Sequence, residues 1–237
     1  APNGTRYAFT MVHDMGVELW MGVADSSRVQ RILGPQLNAS RGSAFSWMPD
    51  SERIVCRLLP AQRGRAPRGE DANTSPRIRD SADPGSSAYG ADPDPGLSAA
   101  QITLRAYYLG SQLAMVDVRS ATVVPVGLPG VFDLVQPSPD GMFLLVSQAD
   151  QPGADSSAQS APAAGVVMVW DATGRPLREL SSRIDSTPAV SITLRARRAR
   201  AHGWRHGAAA TLVWVEPNDG LTSTNAVADR IMLLAAP

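Results

Sequence analysis

The chain has 237 residues, 43% of them hydrophobic, and its 22 basic and 22 acidic side chains cancel to no net charge. That composition supports a core and excludes wholesale disorder. The neutral balance gives no bulk attraction to nucleic acid or to an anionic membrane, and no apolar run reaches the ~18–20 residues of a membrane helix.

All 22 basic residues are arginine, which we read as codon bias of a GC-rich genome rather than as separate functional choices. Ala1–Tyr7 has neither a basic stretch nor an apolar one, so no signal peptide is legible, and the chain enters a strand at once, as a cut edge would. Tyr7–Val12 and Val17–Val23 are predicted to form a hairpin around His13-Asp14-Met15-Gly16, followed by a strand Arg28–Leu33 that Gly34-Pro35 ends. Ser43–Leu59 then reads as a second kind of hairpin. Trp47 closes its first strand, Pro49-Asp50-Ser51 makes the turn, and Ile54, Cys56 and Leu58 alternate with Arg53, Val55 and Arg57 along the second. One face of that strand is apolar and the other mixed. The lone Cys56 has no disulfide partner in the chain and is expected to be a buried thiol, in keeping with a reducing compartment.

Pro60–Ala100 changes character. Rich in Pro, Gly, Ser, Asp and Arg, it reads as a disordered or surface insertion between strands. Gln101–Tyr108 is compatible with a strand or a short helix. Beyond it the two hairpin types return. Glu18–Ile32, Gln112–Val126 and Val166–Leu180 each run a strand into an Asp-containing turn and out again. Ser43–Leu59, Val135–Val146 and His202–Val215 share the aromatic or polar lead-in, the Pro-Asp-Gly-like turn and the apolar exit strand. Ala149–Ala164 is a second low-complexity loop, Pro217–Ala226 a polar loop and Asp229–Leu234 a last strand. Two hairpin types alternating along the chain predict an all-β fold of four-stranded antiparallel blades, a β-propeller. Three marked blades plus partial strands fall short of the roughly 4–8 needed to close a ring, so an incomplete propeller within residues 1–237 is expected.

Catalytic, metal and cofactor residues are not marked. No G-x-S-x-G elbow is present; Gly85–Gly90 is faintly similar but lacks the strand before it and the helix after it. His13, His202 and His206 sit at or near turns with no nucleophile beside them, and one cysteine with three histidines shows no zinc spacing. Arg195–Arg205 is the sharpest charge cluster. It could attract a carboxylate-bearing peptide or nucleic acid, but it has no stacking aromatic beyond Trp204, and a solvated connector is the favoured reading. Arg63, Arg65 and Arg68 are read as a charged solvated loop. Trp170-Asp171 resembles the WD-repeat dipeptide but occurs once, without its Gly-His partner.

The stretch LNASRGSAFSWMPDSERIVCRLLPAQRGRAP, with YYLGSQLAMVDV, QPSPDGMFLLV, VVMVWDATGRPL, ATLVWVEPNDG and DRIMLLAAP in that order, resembles the propeller of the plant and bacterial glutamyl endopeptidases. These are prolyl-oligopeptidase-like serine peptidases. The resemblance implies an amino-terminal propeller over a carboxy-terminal α/β-hydrolase domain that bears a Ser/Asp/His triad and cleaves peptides after glutamate. The hydrolase domain of the same parent and peptide substrates would then be the partners, with no nucleic acid and no membrane. The chloroplast stroma is where plant members work. No catalytic position carries over, and the His206-Gly207 turn departs from the family's usual acidic residue. The alternative is a stand-alone propeller serving as a protein-interaction scaffold, of WD-repeat or TolB-like kind.

Overall fold

The computed structural model describes residues 1–67, 99–149, 166–181, 199–217 and 229–237. The strands are β1 (Arg6–His13), β2 (Gly16–Val23), β3 (Val29–Leu37), β4 (Phe45–Trp47) and β5 (Arg53–Leu58), before the one helix among the described residues, α1 (Ala99–Leu109). Then follow β6 (Gly110–Asp117), β7 (Val123–Pro137), β8 (Phe143–Ala149), β9 (Val166–Asp171), β10 (Pro176–Ser181), β11 (Arg200–Trp204), β12 (Thr211–Pro217) and β13 (Asp229–Ala235). The ambiguous Gln101–Tyr108 is therefore helical. All strand pairs are antiparallel.

Hydrogen bonding links ten strands into one sheet in the order β1-β2-β3-β5-β6-β7-β8-β9-β10, with β4 on β5, and leaves β11-β12-β13 as a second. The larger sheet resolves into blades at two places. β3 meets β5 through the single pair Leu37↔Leu58. β7 pairs with β6 over its first part and with β8 over its second, bending where Gly127 takes a left-handed φ of 61°. The result is two complete blades, β4-β5-β6-β7 and β7-β8-β9-β10, flanked by three-stranded β1-β2-β3 and β11-β12-β13. The described strands form β-propeller blades that do not close into a ring. This is the incomplete propeller of antiparallel blades that the hairpin pattern predicts, with two blades four-stranded among the described residues.

One boundary also differs. The third strand was expected to stop at Gly34-Pro35 but runs on to Leu37. Its register against β2 shifts between Val17↔Leu37 and Leu19↔Leu33, so Pro35 falls in an irregular stretch where its missing N–H breaks no ladder bond.

Packing follows from stacking blades face to face. One cluster joins Leu19, Met21 and Leu33 of the first blade to Ile54, Cys56 and Val116 of the second. A second puts Met48, Val55, Leu113 and Met115 against Phe132, Leu144, Val146 and Trp170 of the third blade. A third joins Leu145, Val167 and Val169 to Leu212 and Trp214. Each inner blade is therefore buried on both faces, which is why five consecutive residues of β5, Ile54 to Leu58, are buried. Full burial of such a side chain is worth about 1.5–3 kcal/mol.

Candidate functional site

Up-and-down connectivity gives the two ends of the blades different chemistry. At one end lie most of the short turns inside the blades, several of them held by carboxylates. Asp117 Oδ1 accepts from the Arg119 and Ser120 amides at 3.0 and 2.8 Å, and Asp171 Oδ1 accepts from the Thr173 and Arg175 amides at 2.9 and 3.0 Å. These bonds hold both carboxyls below the usual carboxylate range, led by the Ser120 amide for Asp117 and by the Thr173 hydroxyl for Asp171. The Pro-Asp-Gly-like turns also sit here. Ser51 and Gly141 occupy the same left-handed position, at φ of 60° and 74°, and each amide bonds back three residues, to Met48 and Ser138. Pro2-Asn3-Gly4 is a further copy, with Gly4 at φ 74° bonding to Ala1. Sequence reading missed it, although its Pro-Asn-Gly composition is a turn signal.

Successive turns touch. The Asn3 amide donates to Ser51 Oγ at 3.1 Å, Gly141 lies against the Pro49 ring, and the Asp140 amide donates to the Ala209 carbonyl at 2.9 Å. Inside the third blade's turn, Ser138 is wholly buried; its hydroxyl donates to Asp140 Oδ1 at 2.6 Å and accepts from the Phe143 amide at 2.9 Å. The four turns form an arc, hydrogen-bonded at two of its three junctions and in contact at the third.

The opposite end carries the connections between blades and α1. The side chain of Asn38, a buried residue, donates to the Tyr108 and Gly110 carbonyls at 3.0 and 2.7 Å, tying the link out of β3 to the helix end. Arg63 stacks on Tyr107, 4.0 Å from the ring centroid, and its Nε donates to the Tyr107 carbonyl at 3.1 Å. Arg63 is thus engaged in structure rather than free in a solvated loop. Between the second and third blades a cleft of about 140 Å³ lies beside Arg57, with Ser46 and Asp133 in its wall.

The sequence candidates are scattered. His13 is not satisfied by solvent alone: its Nε2 lies 3.1 Å from Glu18 Oε2, and Glu18 also takes Trp20 Nε1 and Arg31 Nη1 at 2.9 Å each. Those partners, first the Trp20 indole, outweigh desolvation and lower the Glu18 pKa. His202 stacks on Trp214 at 6.3 Å between centroids in the fourth blade, and burial lowers its pKa against the opposing pull of Glu216. His206 stays in its exposed turn. No two of the three histidines are brought together, and among the described residues no three His, Cys, Asp or Glu side chains are placed to share a metal. Gly85–Gly90, Arg68, Arg195, Arg197 and Arg198 lie outside the described residues, as does nearly all of the two low-complexity segments. Of the charge cluster, Arg200 pairs with Asp229 at 2.5 Å. Cys56 is buried, as expected, and burial pushes its thiol far up. Arg57 was missed altogether. Its place on the mixed face of the alternating strand concealed a side chain only 6% exposed.

No family model matches the chain. A rice protein (Oryza sativa subsp. japonica) named a probable chloroplastic glutamyl endopeptidase is 27% identical over 212 residues, covering 86% of this chain and 22% of its own length. An Arabidopsis thaliana protein of the same name is 28% identical over 190 residues, covering 75% and 18%. The chain therefore spans about a fifth of the curated relatives it matches, and the resemblance read from its motifs agrees with their names. Among solved structures, an acylaminoacyl peptidase in complex with a chloromethyl ketone superimposes with a TM-score of 0.50 at 11% identity, over 100% of this chain and 30% of that one. That likeness speaks to fold.

Proposed function

We propose that the chain is the non-catalytic propeller portion of a serine-type endopeptidase that cleaves peptides after glutamate. Residues 1–237 would form part of one propeller domain, packed in the parent protein on a carboxy-terminal α/β-hydrolase domain. The observation that carries this reading is similarity running across 86% of the chain, in one order, to glutamyl endopeptidases several times its length. The blades suit that reading: they offer a two-ended body of face-packed sheets. The role that fits is gating. Such a cap admits extended peptides, excludes folded proteins and shields the reacting groups from water, as lids do. The plant relatives are named chloroplastic, and a reducing compartment such as the stroma is the location this reading takes, one that suits a lone buried thiol.

Reading the same transcript beyond Pro237 tests the domain assignment. A strand–G-x-S-x-G–helix elbow followed by Asp and then His is expected; a frame without them refutes it. The specificity is tested with the whole gene product on paired peptides differing only by Glu or Gln before the scissile bond. Preference for Glu, abolished by a serine-directed inhibitor, is expected, and equal cleavage of both refutes it.

A further inference from the structure

The cleft between the second and third blades holds an unbalanced charge. Arg57 and the carboxylate Asp133 line it, and a second guanidinium, Arg41, lies beside them. Arg41 Nε takes that carboxylate at 2.6 Å. Arg57, 6% exposed, is left with neutral acceptors: its Nη1 donates to the Arg41 carbonyl and its Nη2 to the Asp133 carbonyl at 3.4 Å. Its Nε has no partner among the described residues. Withdrawing a guanidinium from water without a carboxylate of its own is costly. Here that cost falls beside a space of about 140 Å³ lined by Arg57 itself, Ser46, Phe45 and Val135. A space of that order admits a small organic group, as the ~150 Å³ engineered cavity that takes benzene does.

We propose that this cleft is a carboxylate-binding site, with Arg57 as counter-ion, Ser46 as a flanking hydroxyl, and the apolar wall of Phe45 and Val135 receiving a short methylene stem. The carboxylate comes either from a free small acid or from an acidic side chain of a peptide. The site stands independently of the peptidase reading, since it rests on charge and shape within two blades.

The test is a titration of the ¹⁵N-labelled full chain, following the Arg57 Nε–Hε resonance assigned by its loss in Arg57→Lys. Acetyl-Glu-amide is expected to shift it saturably, and isosteric acetyl-Gln-amide to leave it in place. Acetate binding as tightly as the Glu compound makes a free acid the source; a preference for the Glu compound makes it a peptide side chain. Arg57→Lys, followed on neighbouring amides, is expected to weaken binding about tenfold or more through loss of a charge-assisted bond. Asp133→Asn, which removes the competing acceptor, is expected to tighten it. No saturable shift of any arginine Nε–Hε resonance, or equal shifts with Glu and Gln compounds, overturns the proposal whether or not either variant folds.

Discussion

Truncating Phe132 should show how much of the fold's stability rests on the face that the third blade packs against the second. Phe132 is 2% exposed and meets Trp170 edge to face, with centroids 5.9 Å apart and planes at 88°. It packs across the blade boundary in the cluster with Met48, Val55 and Leu113. Phe132→Ala removes a buried ring and leaves a cavity that rigid strands cannot refill, a loss of about 3–5 kcal/mol. Of that, the ring pair itself accounts for about 0.5–1.5 kcal/mol. For a chain of this length each kcal/mol moves Tm by roughly 2–4 °C, so a fall of roughly 6–20 °C is expected. The assay is urea unfolding of the full chain followed by tryptophan fluorescence and circular dichroism together, with Phe132→Leu, Trp170→Leu and the double variant completing a cycle. A coupling energy of about 0.5–1.5 kcal/mol is expected. A loss below about 1 kcal/mol for Phe132→Ala would refute the claim that this ring anchors the third blade on the second, and additivity within about 0.3 kcal/mol would refute coupling of the ring pair within the third blade.

Three further outcomes are expected. A Cβ added at Gly174, where φ is 90°, would stand 2.0 Å from the Gly127 nitrogen, so Gly174→Ala should cost more than the ~1–2 kcal/mol of a left-handed residue alone, read as a lowered urea midpoint. Asp117 and Asp171 have folded pKa values below their unfolded ones, so their stabilisation is complete above about pH 4 and is lost as pH falls through the folded values. Asp117→Asn/Asp171→Asn should therefore flatten the acid limb of the stability curve; an unchanged limb would show that these turns do not drive acid unfolding. Cys56 should resist alkylation at mildly alkaline pH until the chain unfolds, because its thiol is buried and its pKa pushed up; immediate labelling of the native chain would contradict that burial.

Turn chemistry made much of this fold legible. Pro49-Asp50-Ser51 and Pro139-Asp140-Gly141 mark the tight turns by residues whose φ and side-chain bonding suit no other place, and alternation at Ile54, Cys56 and Leu58 gives the strand. What stayed hidden depends on neighbours. Gly127 and Gly130 lie inside β7, where they let one strand bend from blade to blade without ending. Pro35 reads as a stop yet is absorbed by a register shift. Arg57 belongs to the mixed face of β5, which in an open sheet would meet water; a third blade laid on that face buries it instead. A charge whose burial comes from a strand some 75 positions away (Asp133 lies 76 from Arg57) leaves no local trace in the pattern.

The shared strand has a consequence for modularity. Propeller blades invite treatment as beads that can be swapped, duplicated or excised one at a time. Val123–Pro137 denies that freedom to the two complete blades, because the outer rib of one is the inner rib of the next and no spacer separates them. The exchangeable unit is the pair. A chimera cut between the second and third blades would sever a strand, whereas one cut in the link from Asn38 to Ala44 would leave every strand whole.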